Sequence, residues 1–124
     1  MSRVLLVEDE ELNRVLVRAI LARADAPAVR DADLLEAGSL ADARSALAGH
    51  DVDLVLLDVN LPDGNGLELA AELRDEPGRP TVIALTASVL PHERAAAIEA
   101  GCDAFLDKPY AAADLVQILA SRLG

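Results

Sequence analysis

Four short aliphatic runs in this chain each stop at a residue able to ionise or to hydrogen-bond, and that pattern limits the possible folds more than any other feature. Val4–Val7 runs into Glu8-Asp9-Glu10, Leu54–Leu57 into Asp58, Thr81–Leu85 into Thr86, and Ala104–Leu106 into Asp107-Lys108-Pro109. Unbroken apolar runs of this length suit strands buried on both faces, as in parallel sheets. A weaker run, Leu34-Leu35-Glu36-Ala37, adds a further strand. Helical spacing fills the intervals. From Glu11 to about Ala24, Leu12, Val15, Leu16, Ala19 and Ile20 recur with helical period. Ser39 caps a helix carrying Leu40, Ala43 and Leu47, with Asp42 near the capping-box position and Gly49 as terminator. Leu67 to Arg74 forms another, and Pro91 starts one that continues to Ala100 and stops at Gly101. The last begins near Ala112 and bears Leu115, Ile118, Leu119 and Leu123. Asp25–Asp33, with Pro27 and several charges, reads as a loop, and Leu61–Gly66 as a turn. Strands alternating with helices predict an α/β fold: a doubly wound, five-stranded parallel sheet with five helices, in one domain over 1–124.

Composition narrows the function classes. The 22 acidic against 11 basic residues leave a formal net charge of −11, which repels nucleic acid and anionic membrane surfaces. The 52% apolar content is enough for a substantial core, and with 2% aromatics that core is built from Val, Leu, Ile and Ala. Apolar runs are far shorter than the roughly 20 residues needed to span a bilayer, and the start of the chain shows no signal-peptide pattern. A single cysteine, Cys102, read as a small buried hydrophobe, allows no internal disulfide and points to a reducing, cytoplasmic setting.

In open parallel sheets, ligands bind outside the carboxyl ends of the strands where the strand order reverses. With the order 2-1-3-4-5, that point lies between the first and third strands. Glu8, Asp9 and Asp58 then meet at one mouth, with Thr86 and Lys108 arriving from the side. Strands about 4.8 Å apart let carboxylates on adjacent ends reach a common ion. Acids held so close raise each other's pKa unless a cation joins them. A hard divalent ion such as Mg²⁺ suits oxygen ligands, and an ammonium and a hydroxyl suit a phosphoryl group beside it.

The four segments Val4-Leu-Leu-Val-Glu8-Asp9-Glu10, Leu56-Leu-Asp58-Val-Asn60-Leu-Pro62, Ile83-Ala-Leu-Thr86-Ala87 and Phe105-Leu-Asp-Lys108-Pro109 resemble the signatures of two-component response-regulator receiver domains. The resemblance covers essentially the whole chain and implies the flavodoxin-like receiver fold. It further implies that Asp58 is the phosphoacceptor, charged by a phosphohistidine on a histidine kinase or histidine phosphotransfer protein. Asp9 would ligate Mg²⁺ directly, Glu8 through water, and the backbone carbonyl of Asn60 would add a ligand. Lys108 would pair with Asp58 and then with its phosphoryl oxygens, through a cis bond to Pro109. Thr86 and Phe105 match the hydroxyl and aromatic switch positions. Their movement would reshape the face of the fourth and fifth helices and the fifth strand toward a downstream protein target. The resemblance makes the chain a signalling domain rather than a turnover enzyme.

Each residue alone has a plainer reading. Glu8-Asp9-Glu10 could be a solvated acidic surface, Asp58 the start of a turn, Thr86 a helix cap, Lys108 a surface charge and Phe105 a core aromatic. Their joint occurrence at strand ends argues for a shared site, least strongly for Phe105. Several features depart from the family pattern. Glu8 stands where Asp is more usual, the segment from Asp9 to Ala37 is longer, and Phe105 lacks a tyrosine hydroxyl. Ala87 and Ser88 are small and leave the pocket open. Two rivals remain: a degenerate receiver acting only as an interaction module, and a small aspartate-nucleophile phosphatase suggested by Asp51-Val52-Asp53. Those two acids precede their strand, at the wrong end of the sheet for this site.

Overall fold

The structure, a computed structural model, describes residues 2–86 and 90–123. The elements in chain order are β1 (Arg3–Val7), α1 (Glu11–Ala22), α2 (Pro27–Arg30), β2 (Asp33–Ala37), α3 (Leu40–Gly49), β3 (Leu54–Asp58), β4 (Asn60–Leu61), β5 (Gly64–Asn65), α4 (Leu67–Arg74), β6 (Thr81–Thr86), α5 (Pro91–Ala100), β7 (Ala104–Asp107) and α6 (Ala112–Leu123). Five of the strands form one parallel sheet in the order β2-β1-β3-β6-β7. Counted along the sheet's own strands, this is the expected 2-1-3-4-5, with the reversal between β1 and β3.

The aliphatic runs are buried because alternate residues feed two cores. Leu5, Val7, Val55, Leu57, Val82 and Ala84 pack on one face against Leu40 and Ala43 of α3, Leu69 and Ala70 of α4, and Ala97 of α5. Val4, Leu6, Leu54, Leu56, Ile83 and Leu85 pack on the other face against Val17 and Leu21 of α1, Val29 of α2, and Leu115 and Leu119 of α6. Burial on both faces explains why these strands read as continuous runs rather than alternating ones. Cys102 is buried beneath α5, and burial pushes its thiol up to about 11, so it is an inert part of the core.

Three expectations are corrected. First, the described residues contain six helices, not five, because 25–33 is not all loop. Pro27 opens the single turn α2, whose Val29 is fully buried against the α6 side. Second, the turn 61–66 contains a two-residue antiparallel hairpin, with Asn60 opposite Asn65 and Leu61 opposite Gly64. Third, α1 is rotated relative to the expected stripe. Val17 and Leu21 face the core, whereas Leu12, Val15 and Leu16 are 78%, 44% and 53% exposed. Apolar residues cover too much of this helix for periodicity to choose a face. Packing against the sheet chooses instead, burying Val17 and Leu21, while Arg14 and Arg18 beside them reach Glu36 of β2.

Helix ends follow local chemistry. Ser39 Oγ accepts the backbone N–H of Asp42 at 3.1 Å, as its capping position predicts. The next two orphan N–H groups of α3, on Leu40 and Ala41, are taken by the carboxylate of Asp63 from the distant hairpin at 2.9 and 3.1 Å. Gly101 ends α5 with φ of 113°, a left-handed conformation that glycine adopts without a Cβ penalty.

Candidate functional site

The carboxyl ends of β1, β3, β6 and β7 open on one side of the sheet and bring the strand-end residues together. Glu8, directly after β1, is 2% exposed, and Asp58, the last residue of β3, is 5% exposed. Asp9 beside them stands in solvent. Oxygens from Glu8, Asp9 and Asp58 all lie within 4.8 Å of one another. Lys108 enters from the end of β7. Its Nζ donates to Asp58 Oδ2 at 3.1 Å and to Glu8 Oε2 at 3.4 Å. The backbone N–H of Asn60 donates to Asp58 Oδ1 at 3.1 Å. The Lys108–Pro109 peptide is cis, and the Lys108 N–H donates to the Thr86 carbonyl at 2.7 Å. Thr86, half-buried, thus sits where β6 and β7 leave the sheet.

Electrostatics separate the two buried acids. Burial, reinforced by the neighbouring Glu8, pushes Asp58 up to about 6, against the pull of the Asn60 N–H and Lys108. Burial pushes Glu8 up as well, but hydrogen bonds with Asp58 and Asn13 and the charge of Lys108 outweigh it and hold Glu8 below its ordinary value. Burial alone would lower Lys108, yet the two carboxylates raise it above the usual lysine value. Three carboxylates therefore converge where one ammonium reaches two of them, and the mouth has an unbalanced negative charge.

Phe105 lies on β7 opposite Ala84, half-buried, with the Arg94 guanidinium of α5 4.6 Å over its ring centroid. Arg94 is held in turn by Asp107. Between these residues and Asn60 is a cavity of about 370 Å³, lined also by Thr86, Leu67 and Ala97. Ala87 and Ser88, expected to leave the pocket open, fall outside the described residues. The rival acids Asp51 and Asp53 are at the opposite end of the sheet, where Asp53 accepts the backbone N–H of Arg3 at 2.8 Å and has a structural part.

Residues 4–120 match the Response regulator receiver domain family. The chain belongs to that family. This receiver is 40% identical over 120 residues to the two-component response regulator ORR41 of Oryza sativa subsp. japonica, covering 97% of this chain and 93% of that protein. It is 37% identical over 115 residues to the KDP operon transcriptional regulatory protein KdpE of Escherichia coli (strain K12), with 93% of this chain covered but only 48% of KdpE. The chain thus spans about half of KdpE and nearly all of ORR41. Among solved structures, the Mn(2+)-bound form of response regulator Rcp1 superposes with a TM-score of 0.78 at 26% identity, over 98% of this chain and 91% of that one. Among the described residues, no helix is long and apolar enough to cross a membrane.

The structure adds site residues that reading the sequence missed. Asn13 of α1 donates to Glu8 Oε1 at 2.9 Å, and Arg14 Nη1 donates to the Glu8 carbonyl at 2.8 Å. Asn13 lies one helical turn before Val17, on the side that turns inward, and the sequence carried no signal for it because the face of α1 was not legible. Gly66 is the other. A Cβ built there would lie 2.2 Å from the Asp58 carbonyl oxygen, so only glycine lets the 59–66 hairpin close against β3. The Gly66 N–H donates to the Val59 carbonyl at 2.7 Å and locks that closure.

Proposed function

We propose that this receiver, spanning 1–124 as one domain, accepts a phosphoryl group from a phosphohistidine onto Asp58 and signals by repacking the α5–β7–α6 face. The observation that carries the reading is the buried Asp58, with one oxygen on the Asn60 N–H and the other on Lys108, at the mouth where three carboxylates converge. The donor set fits Mg²⁺. Oxygens facing each other across that ion are about 4.2 Å apart, so groups within 4.8 Å need only small adjustments to share it. Asp9, Asp58, Glu8 and the Asn60 carbonyl would hold the ion, which would neutralise charge on the transferring phosphoryl oxygens.

In the transfer, a carboxylate oxygen of Asp58 forms a bond to phosphorus as the P–N bond of the donor phosphohistidine breaks. The bonding pair leaves with the imidazole nitrogen, which then takes a proton. The chain positions Asp58 in line and offers Lys108 to the phosphoryl oxygens, since the donor is already activated. Phosphorylation places added charge and acceptor oxygens beside Thr86, whose hydroxyl can then turn to them. The cavity behind Thr86 supports a matching inward turn of Phe105 away from Arg94. A change of this kind at α5, β7 and α6 would alter what a downstream protein meets.

The donor's identity is limited by the surface around the mouth. Leu12, Val15 and Leu16 line the exposed side of α1, which starts three residues after Glu8. They offer an apolar footing to a cytoplasmic histidine kinase or phosphotransfer protein delivering its histidine to Asp58. Charging is therefore phosphotransfer between proteins, with the receiver as a stoichiometric acceptor and not a turnover enzyme.

Intact-mass analysis with phosphoramidate, with and without Mg²⁺, tests the core claim. One added phosphate on the parent with Mg²⁺, and none on Asp58→Asn, is the expected result. Equal labelling of both sinks it, and catalytic release of phosphate from an ester would favour a phosphatase. Leu12→Ala/Leu16→Ala should slow charging by a protein donor while leaving charging by phosphoramidate unchanged.

A further inference from the structure

Glu8 is one methylene longer than the aspartate more usual at its position, and it is almost wholly buried. A buried carboxylate needs donors on both oxygens, or it protonates or turns away. Here Oε2 faces Lys108 at 3.4 Å, but the same ammonium is closer to Asp58, at 3.1 Å. Oε1 is taken by Asn13 Nδ2 at 2.9 Å, and that nitrogen also lies 3.3 Å from Glu10 Oε2. An amide with two carboxylates on one side must present its N–H₂ there, which fixes the orientation of Asn13. Arg14 pins the Glu8 main chain at 2.8 Å from the same helical turn. Main chain and side chain of Glu8 are thus held separately by adjacent residues of α1.

We propose that Asn13 is a positioning residue, which restrains the long Glu8 carboxylate to the longer contact with Lys108 and leaves the closer one to Asp58, so that Glu8 and Asn13 act as one unit. Without Asn13, Glu8 draws Lys108 away from Asp58 and swings its oxygens out of reach of Asp9 and Asp58. The inference rests on reading the mouth as a Mg²⁺ site and adds the residue that makes a glutamate workable there. It also predicts a reciprocal relation. Shortening the acid puts it beyond Asn13, and lengthening the amide by one methylene restores the reach.

Calorimetric Mg²⁺ titration of the parent, Asn13→Ala, Glu8→Asp, Glu8→Asp/Asn13→Ala and Glu8→Asp/Asn13→Gln tests this, with thermal melts in chelator as the check on folding. Asn13→Ala in the parent should weaken Mg²⁺ binding about tenfold, the usual scale for a residue that orients a ligand. In the Glu8→Asp background the same substitution should change affinity by less than about twofold, the limit of ordinary additivity. Glu8→Asp/Asn13→Gln should bind more tightly than Glu8→Asp/Asn13→Ala. An Asn13→Ala protein that binds Mg²⁺ like the parent, or the same loss in both backgrounds, overturns the inference and leaves the proposed function standing. A parent that takes up no Mg²⁺ overturns this inference together with the metal part of that reading.

Discussion

The two ends of the sheet carry the same kinds of residue in opposite states. At the amino end, Asp33 pairs with Arg3 at 2.9 Å and Asp103 with Arg79 at 2.8 Å. Asp103 also accepts the Val82 N–H at 2.8 Å, and its guanidinium partner holds it below the usual carboxylate range. These pairings tie β1 to β2, and the start of β6 to β7. At the carboxyl end, three acids converge with Lys108 in reach of two of them, Glu8 and Asp58, and burial drives Asp58 up to about 6. Acids whose partners are supplied by the fold serve as fasteners. Acids that the fold brings together and leaves short of positive charge form the site.

The largest expected difference between the ends comes from Asp58→Asn. It should abolish phosphoryl uptake, and in the absence of Mg²⁺ it should raise the melting temperature, because an underpaired buried acid is replaced by a neutral isostere. A lower melting temperature would mean that the Asp58–Lys108 pair fastens the fold as the amino-end pairs do, and the contrast would break. Gly66→Ala comes next. Its Cβ would overlap the Asp58 carbonyl, and denaturant melts should show a loss of about 2–3 kcal/mol together with impaired charging. Stability and function should fall together there, because the hairpin shapes the site.

Asp103→Ala should cost about 1–2 kcal/mol, since it strips Arg79 and orphans the Val82 N–H, while labelling of Asp58 stays at the parental level. Lost labelling would show that the amino end also governs the site.

The smallest effect is on pH dependence. The folded chain protonates Asp58 near 6, against an ordinary value of 3.8. It therefore binds more protons than the unfolded chain between those values, and metal-free stability should rise as the pH falls from 7 toward 5. That contribution is complete below about 3.8 and lost as the pH climbs through about 6. Glu8, held below its ordinary 4.5, acts in the opposite sense, so the gain should reverse at more acidic pH. Asp58→Asn should remove the rise between 7 and 5, whereas Asp103→Ala should leave it. Melting temperatures across this range in chelator would check both.

Much of this was legible in the residues, for a physical reason. Strands buried on both faces must be apolar throughout, so β1, β3 and β6 announce themselves, and the first polar residue after each marks the end of the sheet where ligands bind. Glu8, Asp58 and Thr86 are found that way. The orientation of α1 was not legible, because its apolar residues span too many faces and the choice was made by packing of Val17 and Leu21 against the sheet. The turn α2 was hidden because one buried valine, Val29, gives no periodicity. Gly66 looks like any other turn glycine in sequence, and its need arises only where β3 and the hairpin touch.

The sequence alone therefore determined the order of the sheet's strands and of the five longer helices, the parallel sheet and the candidate acids, since these depend on local hydrophobic runs and on what interrupts them. Only the tertiary structure decided which acids are partnered and which are not. Partnership is set by residues far apart in the chain, as Lys108 is from Asp58 and Glu8, and no local pattern encodes that distance.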